Sequence, residues 1–342
     1  MVYSNSFTDQ TASRENFKKD EQNVTSFYEF SPYPDLGANL KDPKPAFAPI
    51  LETLAKKKQI NYLEAGCGTG HMLVGVAKSF PQWRCHGVDL SQPSLEIAAR
   101  LSTMHGTEVT LHNGSYLDKL PFEGIKFDLI SAQGTLHHCA DPVAALKNLA
   151  NHLNDDGFIS LHMYGLRLDR EKFEIKEILD IMEPDIEQIE RRFALYKNLM
   201  TQKNKLTLKK ILSISPLSIL RFLKNFLRDI KRKSRRISWS PPWNATYDKI
   251  SSPWVDHFCH PCERAYEVPE IISLVESSNL KIIHMLGEGR EQMDLLPGGW
   301  KGKFGKLPQT DKYRLMELLC PGASSFRMIL CKSGNEIFAA SH

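Results

Sequence analysis

Long apolar runs are missing from this sequence of 342 residues. None approaches the ~20 consecutive apolar residues that a membrane-spanning helix needs, and the first residues lack the pattern of a secretory signal peptide. Paired cysteines are missing as well, because the seven cysteines are scattered along the chain and odd in number. That usage does not suit a disulfide framework. Together these absences predict a cytoplasmic protein with reduced thiols.

A second pair of metal ligands is also missing. Cys259-x-x-Cys262, with His257 and His260 nearby, has the spacing of half a zinc site. A structural zinc ion is held by four protein ligands, and no comparable pair occurs elsewhere in the chain. The sequence therefore predicts no metal.

The net charge is small, +4, but its distribution is uneven. Residues 203–236 hold twelve Lys or Arg and a single acid, Asp229, so the rest of the chain is acidic. Apolar residues recur among these charges as in a basic amphipathic helix. The favoured interpretation is a lid that packs on the core. The alternatives are peripheral contact with the inner face of a membrane and, least favoured, an RNA contact through 231–236, because an acidic body is not typical of a nucleic-acid binder.

The most informative feature present is a glycine-rich turn between an apolar strand and an apolar helix. Gly66, Gly68 and Gly70 follow the strand-like run 60–65 at alternate positions. Glycine allows a sharp turn and a close approach of the backbone to a ligand, and the helix beyond it offers unpaired N–H groups. The dinucleotide pattern G-x-G-x-x-G would place its third glycine where this chain has His71.

A carboxylate follows at the end of the next strand-like run. Asp89 comes nineteen residues after Gly70 and ends the predicted strand 83–89. A carboxylate at this place accepts hydrogen bonds from both ribose hydroxyls of a bound nucleoside. Asp89 therefore predicts a nucleoside ligand without choosing between NAD and S-adenosylmethionine (SAM), and the glycine spacing favours SAM.

Five segments together carry a resemblance to a known family. Glu64-x-Gly66-x-Gly68-x-Gly70 resembles motif I of the class I SAM-dependent methyltransferases, of the bacterial type with a methyltransferase-domain 11 or 12. The resemblance spans residues 27–287, and its further segments are Tyr28-Glu29 with Pro32-Tyr33-Pro34, Gly114–Phe122, the turn Gln133–His138, and His260-Pro261 with Arg264, Tyr266 and Val268-Pro269-Glu270.

The resemblance implies SAM as the cofactor and gives its parts to particular residues. The methionine end would contact Glu64, the three glycines and Gln133, the ribose would contact Asp89 beside Leu90, and the adenine would contact Ser115 and Tyr116. Ser115 stands where the family typically has an acid that accepts from the adenine amino group. A hydroxyl could make that bond, and Tyr116 could cover the adenine face.

The same resemblance places His137 and His138 beside the reacting methyl group. A neutral imidazole is suited to act as a general base near pH 7, so both are candidates for base or substrate orienter. The alternative is that they pack beneath the next helix and bind the backbone. The predicted acceptor-side residues are Tyr28, Tyr33, His260, Arg264 and Tyr266, with the alternative that Arg264 and Tyr266 only staple the insertion to the sheet.

Strand-like runs alternate with helical periodicity from Gln59 onward, as in an α/β fold. The prediction is a Rossmann-like, doubly wound, mostly parallel sheet with a helical insertion after strand 5. Predicted strands are 60–65, 83–89, 107–112, 126–132, 157–163, 280–286 and 325–332, and predicted helices are 70–80, 92–103, 142–153 and 268–278. The predicted organisation is a disordered lead (1–26), an N-terminal cap segment (27–58), a SAM-binding core (59–164), a helical insertion or lid (165–250) and a C-terminal completion of the core (251–342).

The predicted activity is transfer of a methyl group to a small-molecule or lipid-like O, N or C nucleophile by in-line displacement. One alternative is a non-catalytic regulatory or interaction protein that binds SAM. Another is an RNA or protein methyltransferase. The sequence has neither an Asn-Pro-Pro-Tyr-type amide nor a Pro-Cys nucleophile after a strand, which argues against methylation of an RNA base.

Overall fold

The computed structural model describes residues 14–34, 39–118, 120–212, 247–286, 296, 299–319 and 325–335. The chain divides into two compact units. The first comprises residues 1–170 and 260–342, and the second comprises residues 171–259. The second unit overlaps the segment 165–250 in which the sequence predicts a helical insertion, with both bounds shifted toward the C-terminus.

Seven of the described segments form one sheet in the first unit. They are β1 (Asn61–Ala65), β2 (Arg84–Asp89), β3 (Thr110–Asn113), β4 (Phe127–Gln133), β5 (Leu153–Met163), β6 (Leu280–Leu286) and β7 (Phe326–Lys332). Their order is β3-β2-β1-β4-β5-β7-β6. β1 to β5 pair in parallel, and β7 lies antiparallel between β5 and β6. The predicted mostly parallel α/β sheet is confirmed, although β3 begins three residues later and β5 four residues earlier than predicted.

Helices of the first unit connect these strands and cover the sheet. Their bounds are α1 (Arg14–Phe30), α2 (Lys44–Phe47), α3 (Leu51–Leu54), α4 (His71–Ser79), α5 (Gln92–Met104) and α6 (Pro142–Asn151), and near the C-terminus α10 (Val268–Glu276), α11 (Lys301–Gly305) and α12 (Gln309–Leu319). Side chains fix several of their starts. Ser91 and Asp141 accept from the backbone N–H three residues on, and Glu267 and Glu270 form a capping box at α10. Such caps satisfy the N–H groups that the first turn of a helix leaves unpaired.

The core lies on both faces of the sheet because successive strand residues point to opposite sides. On β1, Leu63 packs with one apolar cluster and Tyr62 with the other. The first cluster includes residues of α6 and α10, and the second includes residues of α3 and α4. A doubly wound sheet of this kind leaves the carboxyl ends of its strands as the place for a ligand.

The predicted disordered lead differs from the structure over residues 14–26, because α1 begins at Arg14 and ends at Phe30. Val24 and Phe27, three residues apart, share one face of this helix, and both are buried. Ser91 Oγ donates to the Tyr28 carbonyl oxygen (3.1 Å) and so ties α1 to the end of β2. The helical pattern of apolar residues is short and lies among polar residues, and for this reason the sequence of the segment predicts disorder. Residues 1–13 lie outside the described part of the chain.

The second unit contains most of α7 (Leu166–Met182), with α8 (Ile189–Leu212) and α9 (Ser252–Cys259). Its interior holds Tyr196 and Trp254, and also the fully buried side chain of Arg192. The Arg192 guanidinium donates to Asp180 (2.6 Å) and to the carbonyl oxygen of Phe258 (2.7 Å). It therefore joins α7, α8 and α9, the helices that the structure describes in this unit. Residues 213–236 of the basic segment lie outside the described residues.

No helix in the part of the chain that the structure describes combines the length and apolarity needed to cross a membrane.

Arg192→Met should destabilise the second unit, because it removes the donor from Asp180 and from the carbonyl oxygens of Glu183 and Phe258. We expect a loss of about 2–4 kcal/mol, since a buried polar group that loses its partner costs about 1–3 kcal/mol. The neighbouring Arg191, whose side chain is 72% exposed, supplies the matched control, and Arg191→Met should stay within about 0.5 kcal/mol of the parent. Urea denaturation followed by circular dichroism measures both. Equal midpoints for the two variants would contradict the role of Arg192.

Candidate cofactor and active site

The turn between β1 and α4 has no room for side chains at its three glycines. Gly66, Gly68 and Gly70 have φ values of +72°, +51° and +82°, a region that favours glycine. A Cβ at Gly66 would collide with the side chain of Thr135, one at Gly68 would lie 2.5 Å from the Tyr33 carbonyl oxygen, and one at Gly70 would lie 2.7 Å from Ala98 Cβ. The glycines are therefore required first by close approach of the chain's own segments.

Asp89, at the carboxyl end of β2, holds this turn against the sheet. Its Oδ2 accepts from the Gly68 N–H (2.7 Å) and its Oδ1 from the Ser91 N–H (2.9 Å). Burial raises the pKa of Asp89, while the backbone N–H donors oppose that shift. A carboxylate accepts about four hydrogen bonds, so Asp89 can hold the turn and still accept from ribose hydroxyls. Leu90 follows it, and its carbonyl oxygen accepts from Asn113 (2.9 Å).

Glu64, on β1, is a buried acid with an unsatisfied oxygen. The residue is 4% exposed, and its Oε2 has no hydrogen-bond partner among the described residues. Burial raises the pKa of Glu64 to about 8, the positive charge of Lys41 opposes that shift, and the negative charge of Asp89 adds to it. An orphaned buried acceptor of this kind suits a ligand that brings a donor or a positive charge. This feature fits the ammonium-bearing methionine end of SAM.

The N-terminal cap segment lies directly on the glycine turn. The Thr69 N–H donates to the Tyr33 carbonyl oxygen (3.2 Å), and the Thr69 hydroxyl donates to the Pro34 carbonyl oxygen (2.8 Å). Tyr33 is thus placed beside the glycine turn through its backbone. The sequence placed it on the acceptor side, and nothing in these contacts involves its ring.

At the end of β3, Ser115 is 6% exposed and its hydroxyl is already engaged. It donates to the Glu21 carboxylate of α1 in a short hydrogen bond and accepts from the Leu117 N–H (3.0 Å). Tyr116 next to it is positioned through its carbonyl oxygen, which accepts from the Asn148 amide (2.8 Å). Glu21 was missed from the sequence because it falls within the stretch predicted to be disordered. The spacing of Val24 and Phe27 was the available signal.

Gln133, at the end of β4, directs its amide nitrogen into the sheet. The nitrogen donates to the Ser160 carbonyl oxygen and to the Ser160 hydroxyl, at 3.0 Å each. Two residues on, Thr135 donates its hydroxyl to the Ala65 carbonyl oxygen (3.2 Å). The turn after β4 and the turn after β1 are therefore in direct contact, as the predicted joint site requires.

The two histidines of the β4 turn have different surroundings. His137 is fully buried, its ring centroid lies 3.9 Å from that of Tyr164, and its carbonyl oxygen accepts from the Arg264 N–H (3.0 Å). His138 stacks on His260 at 3.9 Å between centroids. The Tyr28 ring lies 6.4 Å from that of His138 and 5.3 Å from that of His260. Tyr28, His138 and His260 thus form one aromatic group, which we call the acceptor-side cluster.

Backbone contacts assign the protons of this cluster. His138 Nδ1 lies 3.0 Å from the Cys262 carbonyl oxygen, which can only accept, so Nδ1 carries a proton and proton exchange falls to Nε2. His260 Nδ1 accepts from the Cys262 N–H (3.1 Å), so in the neutral ring the proton is on Nε2. One short segment around Cys262 therefore orients both imidazoles.

Arg264 and Tyr266 make contacts of the structural kind. Arg264 Nη1 donates to the carbonyl oxygens of Cys139 (2.9 Å) and Ala140 (3.0 Å). Tyr266 is 5% exposed and belongs to the apolar core, and its backbone pairs with Tyr164 and Leu166. These contacts follow the alternative in which the two residues staple their segment to the sheet, and they do not bring either side chain into the acceptor-side cluster.

The predicted cofactor residues thus line the carboxyl ends of four neighbouring strands. Glu64 and the glycines follow β1, Asp89 ends β2, Ser115 follows β3 and Gln133 ends β4. The class I SAM-dependent methyltransferase fold is defined by the strand order β3-β2-β1-β4-β5-β7-β6 with one antiparallel strand. It also has a glycine turn after β1 and an acid at the end of β2, as found here.

Comparison with known proteins gives the same class. Residues 63–159 match the family model of a methyltransferase domain. An uncharacterized protein of Synechococcus sp. is 27% identical over 276 residues, which make up 79% of this chain and 60% of that protein. The malonyl-[acyl-carrier protein] O-methyltransferase of Bacillus cereus is 28% identical over 116 residues, 34% of this chain and 42% of that enzyme. PKMT2 from Rickettsia typhi, solved in complex with AdoHcy, has a TM-score of 0.56 at 20% identity and covers 80% of this chain and 49% of its own.

Residues 63–159 therefore carry a methyltransferase domain, in agreement with the predicted class I methyltransferase family and fold. The likeness to PKMT2 concerns the fold. The chain spans 60% of the Synechococcus protein and 49% of PKMT2, less than two thirds of either.

Glu64→Gln should stabilise the protein, and more so at alkaline pH. The folded state holds the Glu64 pKa near 8, above the 4.5 of an ordinary glutamate, so stability is present below about pH 4.5 and falls as the pH rises toward 8. The Glu64→Gln variant has no buried carboxyl to ionise. Its free energy of unfolding should therefore exceed that of the parent by about 1–4 kcal/mol at pH 8.5.

Thermal unfolding at pH 5 and pH 8.5 measures this difference. Glu52→Gln, at an exposed acid on α3, is the matched control and should shift neither melting temperature. A pH-independent effect of Glu64→Gln would mean that the buried carboxylate is not the cause.

Proposed function

We propose that this chain transfers the methyl group of SAM to a small-molecule or lipid-like nucleophile by in-line displacement. The single observation that carries the proposal is the contact of the turn after β1 with the turn after β4. Thr135 donates to the Ala65 carbonyl oxygen, and its side chain fills the space that a Cβ on Gly66 would need. This contact sets the acceptor-side cluster next to the residues assigned to the cofactor.

The chain's own residues would hold the cofactor as follows. Glu64 would accept from the ammonium of the methionine end, beside Gly66, Gly68 and Gly70, and Gln133 would border the same end. Asp89, with Leu90 beside it, would accept from the ribose hydroxyls, and Ser115 with Tyr116 would border the adenine. Bound SAM supplies an activated methyl group on a sulfonium. The protein's contribution is to position the acceptor in line with it and to exclude water.

His138 is the stronger candidate for a general base. Its Nδ1 is held by the Cys262 carbonyl oxygen, which fixes the ring and directs Nε2 toward proton exchange. His137 is enclosed by Tyr164 and the core. We assign His137 to orienting the turn and His138 to taking the proton from a hydroxyl or amine acceptor. Tyr28 and His260 would form aromatic walls for that acceptor.

The acceptor class rests on chemistry at the site and on one relative. Aromatic and imidazole side chains form a surface suited to a small, partly apolar acceptor. The Bacillus cereus relative is a malonyl-[acyl-carrier protein] O-methyltransferase, as its name states, so a malonyl thioester, whose free carboxylate supplies an oxygen nucleophile, belongs in the first panel of acceptors. The basic segment 203–236 would favour a lipid-like acceptor if it contacts an anionic membrane surface, and it gives little reason to expect a nucleic acid.

Titration calorimetry with SAM and with NAD tests the cofactor assignment. The wild-type protein should bind SAM and not NAD. Asp89→Asn should weaken SAM binding by about 10- to 100-fold, because the ribose hydroxyls lose a charged acceptor worth about 1.5–3 kcal/mol. Asp118→Asn makes the same charge change at an exposed position after β3 and should keep the parent affinity. Unchanged SAM affinity in Asp89→Asn would refute the ribose assignment.

His138→Asn tests the base. Asparagine keeps an N–H for the Cys262 carbonyl oxygen and removes the basic Nε2, so SAM affinity should be retained. We expect kcat on phenols and amines, which must lose a proton, to fall by about 10²–10⁴-fold, measured as transfer of labelled methyl in a panel that also includes a malonyl thioester and phospholipid. His137→Asn should instead lower thermal stability. Loss of SAM affinity in His138→Asn, or an unchanged kcat, would contradict the assignment, and intact SAM binding without turnover on any acceptor would favour a regulatory SAM-binding protein.

A further inference from the structure

The ends of three neighbouring strands give the cofactor a direction. Because the sheet order runs β3-β2-β1, the glycine turn, Asp89 and Ser115 lie in a row along one edge. A nucleoside whose ribose binds Asp89 and whose tail lies at the glycine turn therefore has its base at the end of β3. The groups found there are Ser115, Tyr116 and the carboxylate of Glu21.

Ser115 is a poor acceptor for that base because its hydroxyl already donates one hydrogen bond and accepts another. Its one proton is donated to Glu21, and its oxygen already accepts from the Leu117 N–H (3.0 Å). A hydroxyl has one proton and two lone pairs, so a single weak acceptor position remains. The Glu21 carboxylate has about four acceptor positions, of which Ser115 uses one, and its bonds are charge-assisted.

Glu21 is held in place by the fold of α1. The Thr25 hydroxyl donates to the Glu21 carbonyl oxygen (2.8 Å), and the side chains of Val24 and Phe27 on the same helix are buried. Ser91, which also caps α5 beside Asp89, donates to the Tyr28 carbonyl oxygen. The position of the Glu21 carboxylate is therefore fixed relative to the carboxyl ends of β2 and β3.

We propose that Glu21 accepts the hydrogen bond of the adenine amino group and thereby selects adenine over bases that lack that donor. The inference rests on the proposed function, since it concerns the same SAM site. An acid from α1 takes the place that the family typically fills from the turn after β3, where this chain has Ser115. Hypoxanthine presents a carbonyl oxygen where adenine presents its amino group, so the Glu21 carboxylate repels it.

Binding of two homocysteine nucleosides tests this selection directly. Titration calorimetry of the full chain should show that the wild type binds S-adenosylhomocysteine at least about tenfold more tightly than S-inosylhomocysteine. In Glu21→Gln the adenosyl affinity should fall about tenfold and the preference should largely disappear, because an amide can also donate to the inosyl oxygen. Glu29→Gln makes the same change at an exposed position on the same helix and should keep the wild-type preference.

A second variant restores the acid in its more usual place. Ser115→Asp in the Glu21→Gln background should recover the adenosyl preference, which a merely structural role of Glu21 would not allow. Unchanged affinities in Glu21→Gln, or equal weakening of both ligands, would overturn the inference while leaving the proposed function standing. Failure of the wild type to bind either ligand would overturn the proposed function and this inference with it. Circular dichroism spectra of the variants confirm that each is folded.

Discussion

Close approach at the turn after β1 is the constraint on which the site depends. The three glycines leave no space for a Cβ, and the space is filled by the chain itself, through Thr135, the Tyr33 carbonyl oxygen and Ala98. Asp89 adds a hydrogen bond to the Gly68 N–H and so ties the same turn to β2. A side chain at any of these positions would therefore separate the turn after β4, the N-terminal cap segment or α5 from the glycine turn.

Helix α1 contacts both the residues at the end of β3 and the acceptor-side cluster, which lie far apart in the sequence. Near its middle, Glu21 binds Ser115 at the end of β3, and near its C-terminal end Phe27 and Tyr28 contact the ring of His260. Phe27 and His260 centroids are 4.9 Å apart. A single helix packed by Val24 and Phe27 thus borders both the proposed adenine subsite and the acceptor-side cluster.

Two buried acids illustrate how residues suited to a ligand site can lower the stability of the folded state. Burial raises the pKa of both Glu64 and Asp89, and the negative charge of Asp89 adds to the rise at Glu64. Asp89 is compensated by backbone donors, whereas Glu64 keeps an oxygen without a partner in the described part of the chain. A cationic ligand at that oxygen would relieve the cost of burial, which is a physical reason for keeping a destabilising carboxylate in a core strand.

The sequence by itself determined the order of strands and helices, the glycine turn, the acid at the end of β2 and the class of protein, because these depend on local periodicity and short spacings. Only the tertiary structure decided which distant residues meet there. It brought Glu21 to Ser115 across 94 positions and Cys262 to His138 across 124, and it directed Arg264 to backbone carbonyls. Such contacts arise from the packing of α1 and the C-terminal segment against the sheet, and no local pattern encodes the angle at which a helix arrives. For the same reason, the two adjacent histidines became distinguishable only once their neighbours were in place.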